Sequence, residues 1–320
     1  MIKGHYTILL LFFIGVSLLF SGCKGEGGAT STKQDPFLGG TTGLSVDFAE
    51  GAPPTEAFDG GDSPFDVVVI VENKGEHTVE KSDCRIKIKG VLASDFSKSE
   101  AELIKNPSED VEATKKNSEG DIIPGPAIYT EFTGFNHDDM LTGNTPFTIL
   151  AEVCYLYETD SQAMLCIKED NLDSTTEGRV CKVTETKTVY NSGAPVHIEN
   201  FKEIPSAKDK VRFTFDVVHK GTGDIYKKST TCSKDTRADE NKVWVEVQST
   251  IAGSISCSNL ADGSDTNGYV RLYSQGKNTV SCTQQVTTNS DYETPINIKL
   301  QYDYEQTKTT EILIKHLPED

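Results

Sequence analysis

Residues able to do chemistry are sparse in this chain of 320 residues, and they are scattered. The six histidines are His5, His77, His137, His197, His219 and His316. No two lie within five residues of each other, so H-E-x-x-H and similar metal spacings do not arise. There is no G-x-S-x-G elbow, no Walker loop and no dinucleotide-binding glycine pattern. Three carboxylate-rich stretches offer oxygen ligands of the kind calcium takes: Asp59–Asp62, His137-Asp138-Asp139 and Asp262–Asn267. The last has suitable donors but misses the EF-hand spacing, and a solvated turn is the simpler reading. No catalytic residue, metal or cofactor is assigned. What remains is cysteine: Cys23, Cys84, Cys154, Cys166, Cys181, Cys232, Cys257 and Cys282. None forms a C-x-x-C pair, which disfavours zinc and thioredoxin-like chemistry and favours disulfides in an oxidising compartment.

The first of these cysteines has a distinct setting. Lys3, an apolar stretch over Tyr6–Phe20 and the small pair Ser21-Gly22 have the three parts of an export signal. Fifteen helical residues reach about 22 Å, short of the ~30 Å hydrocarbon core, so a permanent transmembrane helix is the weaker reading. Phe20-Ser21-Gly22-Cys23 resembles the lipobox of prokaryotic lipoproteins, departing from it at Phe20, where leucine is usual. The resemblance implies lipidation of Cys23 and cleavage before it. Residues 23–43 are rich in Gly, Ser and Thr and read as a flexible tether.

The remainder contains a repeat. FDVVVIVENKGEHTV (65–79) and VRFTFDVVHKGTGDIY (211–226) are strand runs closed by Asn73-Lys74-Gly75 and His219-Lys220-Gly221. Lys-Ser and then a cysteine follow in both, at Lys81–Cys84 and Lys228–Cys232, before alternating runs at Arg85–Val91 and Lys242–Gln248. Near the ends, residues 151–168 align without gaps on residues 298–315, with Tyr155/Tyr302 and Tyr157/Tyr304 among the identities. Short β-branched and aromatic runs between Gly, Asn, Asp and Ser clusters favour antiparallel sandwiches. One short helix is expected at Ser97–Lys105. Residues 151–168 are expected to form a hairpin turning at Glu158–Gln162, which sets Cys154 opposite Cys166. The recurring tyrosines then share a sheet face and are read as core, not as a sugar platform; Trp244 is likewise read as a core anchor.

The pattern V-x-V-x-x-x-N-x-G over Val67–Gly75 resembles strands of CARDB-type immunoglobulin-like modules of archaeal and bacterial surface proteins. The second unit, from Ala194-Pro195-Val196 to Leu300-x-Tyr302-x-Tyr304, is similar to tandem domains of archaeal exported proteins, with His219 standing where the first has Asn73. The resemblance implies two tandem immunoglobulin-like antiparallel β-sandwiches, residues 44–182 and 183–320, after the signal peptide (1–22) and the tether (23–43). It implies a surface role in adhesion, assembly or spacing, without catalysis.

Removing Cys23 leaves seven thiols. Cys257 and Cys282 lie in strand-like runs, Ser254–Ser258 and Thr279–Gln284, and are the favoured pair. In the first unit Cys154–Cys166 competes with Cys84–Cys154 plus Cys166–Cys181. Cys84 and Cys232 are read as repeat equivalents sharing a core position in which a thiol stays reduced.

A net charge of −18 argues against nucleic acid, whose phosphates demand lysine and arginine. The expected function is a non-enzymatic surface lipoprotein, on the outer face of the membrane through its lipid, that binds a protein or glycan partner or serves as an envelope structural module. Two alternatives stand beside it. One is a secreted enzyme or small-ligand binder whose site is assembled from distant residues. The other is calcium-dependent adhesion around Cys181–Val196.

Overall fold

The computed structural model describes residues 35–173, 180–183, 185–272 and 276–317. Cys23 and the signal segment lie outside the described residues, as does most of the tether. Among the described residues no helix is long and apolar enough to cross a membrane. Residues from Pro36 onward form one compact unit, and its fold is all-β with several antiparallel sheets.

Eighteen strands are formed among the described residues. In chain order the first nine are β1 (Leu44–Phe48), β2 (Glu56–Phe58), β3 (Phe65–Asn73), β4 (Cys84–Lys89), β5 (Ile104–Lys105), β6 (Lys115–Lys116), β7 (Ile122–Ile123), β8 (Ile128–Phe135) and β9 (Thr145–Ile167). The second nine are β10 (Val189–Asn191), β11 (Val196–Ala207), β12 (Lys210–His219), β13 (Asp224–Tyr226), β14 (Lys242–Ser249), β15 (Ile255–Ser258), β16 (Asn267–Arg271), β17 (Lys277–Gln285) and β18 (Tyr292–Lys315). The large sheet runs β16-β14-β18-β9-β4-β5, with β2, β10 and β13 attached to its long central strands. Two smaller sheets, β1-β3-β8 and β11-β12-β17-β15, cover one of its faces, and β6-β7 form a separate ribbon.

The expected hairpin does not form. Residues 145–167 make one strand, paired along its whole length with β18. Glu158–Gln162 looks like a turn because it is polar, yet it contains no glycine or proline to break a strand. Its alternation is intact once hydroxyls are counted as inward residues. Thr159 and Ser161 are buried, donating to Val196 O (2.7 Å) and Asn191 Oδ1 (2.7 Å). Glu158 and Gln162 face outward, bonding Gln301 Nε2 (2.6 Å) and Asn297 Oδ1 (3.0 Å) across the ladder. The helix expected over Ser97–Lys105 is also absent; a 3-10 turn at Ala93–Phe96 precedes turns and the short β5.

The β9–β18 ladder is where the two copies of the repeat meet. Tyr155 pairs with Tyr304 and Tyr157 with Tyr302, while Leu156 pairs with Asp303, which stands at Leu156's own position in the other copy. Exchanging the copies therefore maps the ladder onto itself, as in a two-fold interface between identical subunits. The pattern extends outward. Cys84–Lys89 pairs with β9 as Trp244–Gln248 pairs with β18, setting Arg85 against Trp244, Lys87 against Glu246 and Lys89 against Gln248 as equivalents. In the smaller sheets Leu44 opposes Asn73 as Val196 opposes His219.

The four tyrosines sit fully buried at the centre of this ladder, in edge-to-face contacts of 5.6–6.2 Å. A buried phenol needs a partner, since leaving it unmade costs about 1–3 kcal/mol. The partners repeat. Leu44 N donates to the Tyr155 hydroxyl (3.1 Å), as Val196 N does to Tyr302 (3.2 Å). Tyr155 donates to Gln306 Oε1 (3.0 Å), and Tyr302 meets Thr159 Oγ1 (3.1 Å), the residue equivalent to Gln306. Tyr157 donates to Asn73 Oδ1 (3.1 Å), and Tyr304 meets His219 Nε2 (3.0 Å). The Asn-to-His difference between the copies thus keeps one function, a hydrogen-bond partner for a core tyrosine. His219 is the last residue of β12.

Gly75 and Gly221 complete the motif for a spatial reason. A Cβ at either would fall well inside contact distance of a tyrosine hydroxyl, Tyr157 at the first and Tyr304 at the second.

Candidate functional site

Cys154 and Cys166 lie on the face of the large sheet opposite the tyrosines, and each is bonded there. Cys257 bonds Cys282, its direct partner across β15 and β17. Cys166 bonds Cys181, and Cys154 bonds Cys232. Cys154 therefore pairs with neither Cys166, which lies twelve residues along the same strand, nor Cys84. Cys84 is free and buried, and burial pushes its thiol up to about 12, far from any nucleophilic state. Cys232 is not its equivalent: the strand registers place Val243 there, and Cys232 belongs to a loop that crosses to the other copy.

That loop, Ser229–Asp235, is pinned from below. Asp303 accepts Ser229 N and Thr230 N (both 2.8 Å). Burial raises the Asp303 carboxyl, and these donors act in the opposite direction. Ser229, Thr231 and Cys232 all adopt positive φ, an uncommon conformation for such residues, held here by the carboxylate and the disulfide. Among the described residues, Cys154, Cys232 and Asp303 are the one group of three ligand-bearing side chains close enough to hold a metal ion. The two sulfurs are bonded to each other and the carboxylate is turned to backbone N–H groups, so the donors do not fit a metal.

Beside the loop lies a groove of about 330 Å³ against β4. Arg85, Lys87 and Lys89 project into it at alternate positions, facing Lys234, Glu152 and Asp235. Lys89 and Lys234 share Glu152 Oε2 (2.7 and 3.1 Å), and Lys234 also holds Glu305 Oε1 (2.7 Å). Burial opposes ionisation of Glu152, and the two ammonium groups outweigh it, leaving its carboxyl below the usual value. Arg85 donates to Thr231 O (2.6 Å), bridging the groove. On this outer face the second copy carries Trp244, half-buried and outside the core, with Lys228 4.4 Å above its ring and Tyr269 beside it.

The carboxylate stretches do other work. Asp59–Asp62 and His137–Asp139 come together, Gly61 N bonding His137 O (2.9 Å). Asp59 accepts Leu141 N (2.8 Å), Leu317 N (3.0 Å) and His316 Nδ1 (2.8 Å), fastening the end of β18. Its burial works against ionisation, but these donors hold its carboxyl down at about 2. Asp262–Asn267 is an exposed turn closed by Ser264 N to Asn267 O (2.8 Å). The end of the tether is also fastened: Leu38 N and Gly39 N donate to the Glu76 carboxylate (2.9 and 3.0 Å).

One buried carboxyl sits next to a disulfide. Glu203 accepts Cys166 N on both oxygens (3.1 and 3.0 Å) and lies 3.3 Å from Lys187. Burial pushes it up to about 8 despite those partners. A carboxyl raised from 4.5 holds an extra proton in the folded state across that interval. Its stabilisation is full below pH 4.5 and is lost as pH rises through about 8. We expect the melting temperature to fall between pH 5 and pH 8.5, and Glu203→Gln to remove most of that slope. Lys187 keeps Glu185 (3.0 Å) and Lys182 O (2.6 Å) in the variant. Equal slopes in the two proteins would contradict the assignment.

Sequence reasoning passed over Arg85, Lys87, Lys89, Glu152, Lys234 and Asp303. The alternation R-x-K-x-K in an expected strand was the available signal for the first three. Nothing local announces that residues 229–235 cross to them.

No family model matches the chain, and no curated protein matches it. One solved chain with some similarity is the crystal structure of envelope protein VP37 from White Spot Syndrome Virus. It is 10% identical, with 47% of this chain and 98% of that chain covered, at a TM-score of 0.21. At that score the likeness carries neither architecture nor role. What the chain presents is an all-β domain with three disulfides among the described residues.

Proposed function

We propose that the protein is a prokaryotic, archaeal-type surface lipoprotein, anchored on the outer face of the membrane by lipid on Cys23. It displays two immunoglobulin-like sandwiches as a non-enzymatic binding or envelope module. The observation that carries this reading is the three disulfides among the described residues, one of which joins the two copies of the repeat. Such bonds persist outside the cytosol and are rare within it. The signal segment and the lipobox-like Phe20–Cys23 supply the address. The two-fold ladder supports a variant of the tandem arrangement, in which the sandwiches share one sheet instead of hanging in series.

Intact-mass analysis of membrane-extracted protein tests it. We expect cleavage before Cys23, added acyl mass, and a gain of about six hydrogens on reduction, two for each disulfide. A mature N-terminus elsewhere, without lipid, would remove the anchor. Unchanged mass on reduction would remove the compartment.

A further inference from the structure

The groove between β4 and Thr231–Asp235 holds four cations that are not equally occupied. Lys89 and Lys234 are matched by Glu152 and Glu305 at 2.7–3.1 Å. Among the described residues Lys87 makes one ion pair, with Glu100 at 3.9 Å and itself 71% exposed; Glu152, opposite it in the ladder, is taken by Lys89 and Lys234, Asp235 lines the far wall, and Arg85 touches a neutral carbonyl. The fold does not require these charges. At the equivalent positions of the other copy, the same strand in the same register carries Trp244 and Glu246. A chain of net charge −18 has therefore placed two under-compensated cations side by side in a concavity, where the duplicated scaffold does without them. Ser233 also lines the wall, its hydroxyl donating to Asp235 Oδ2 (2.9 Å). The loop forming that wall is held by the Cys154–Cys232 bond and Asp303, so little ordering entropy is lost on binding.

We propose that this groove binds a small, multiply charged oxyanion, gripped by the Arg85 guanidinium and the Lys87 ammonium. The proposal rests on the reading of the chain as a binding module, but not on its membrane address. Its volume of about 330 Å³ lies at the small end of ligand pockets and suits a compact ligand. The arginine offers planar paired donors to a phosphoryl or carboxylate group, and the lysine a point charge. The overall negative charge opposes any anion from a distance. At physiological ionic strength, however, charges beyond about 8 Å are largely screened, and the local pair decides.

Calorimetric titration of the full chain in non-ionic detergent, starting at physiological ionic strength, tests this with pyrophosphate as the phosphoryl probe and citrate as the carboxylate probe. Saturable binding of one or both is expected, weakening with added salt and falling at least about tenfold in Arg85→Gln/Lys87→Gln, a change of about 1.4 kcal/mol. The probe that binds assigns the ligand's acid group. Lys242→Gln, outside the groove, should bind as the parent does. Lys87→Glu supplies a second variant, since the scaffold already accepts glutamate at the equivalent Glu246. No saturable binding of either probe overturns the proposal, as does equal binding by the folded Arg85 and Lys87 variants. Neither result alters the mass of the mature protein, so a failed ligand and a failed anchor remain distinguishable.

Discussion

Gly75→Ala should destabilise the protein by about 3 kcal/mol or more, the upper end for overpacking a close-packed core. It should resist rescue. The new methyl would meet the Tyr157 hydroxyl and Gly193 O well inside contact distance, and Thr42 O at 2.8 Å. Two of these three are backbone atoms with no rotamer to adopt. Gly221→Ala meets the Tyr304 hydroxyl in the same way, but its other close neighbour is Pro195 Cβ, at 2.7 Å. Tyr304→Phe removes the hydroxyl and leaves His219 Nε2 and Gly223 N without that partner. The double variant Gly221→Ala/Tyr304→Phe should thus be more stable than the sum of the single losses indicates. Gly75→Ala/Tyr157→Phe should show little such coupling. Denaturant midpoints over the two cycles give the answer, and similar coupling at both sites would contradict the geometry.

The second large effect belongs to the Cys154–Cys232 bond. It closes a loop of 78 residues, against 15 for Cys166–Cys181 and 25 for Cys257–Cys282. In the chain-entropy account these are worth about 4.5, 3 and 3.5 kcal/mol. Cys154→Ser/Cys232→Ser should accordingly be the costliest of the three double serine variants. It should also free the loop that walls the groove and weaken oxyanion binding with it. A larger stability loss from Cys166→Ser/Cys181→Ser would show that native-state strain or residual structure outweighs loop length.

How far the sequence could be read depended on whether the deciding contact was local. The strand runs at 65–73 and 211–219 were legible because alternation is written residue by residue. So was Cys257–Cys282, each cysteine lying in a run that reads as a strand on its own. The long strand β9 was not, because Glu158–Gln162 is polar and its inward hydroxyls find partners only in β11, β10 and β18. Trp244 was misplaced because its environment is a lysine from another loop. The N-x-G ending could be recognised as a pattern, but its cause could not. The tyrosine hydroxyls that exclude a side chain at Gly75 and Gly221 come from strands roughly 80 residues away. Cys154–Cys232 was hidden for the same reason, joining two copies of a repeat that composition presents as separate.

The ladder between β9 and β18 also sets an order of events. Strand β18 is the partner of β9, β14, β13 and β2, so residues 292–315 tie the two halves of the large sheet together. Its contacts with β9 span sequence separations of more than a hundred residues, the kind of pairing that forms slowly. Before β18 pairs, β9 is left with an open edge and a row of unmated tyrosines. Only then can either copy of the repeat close its core. We expect folding to complete late, limited by the long-range pairing of β18 with β9.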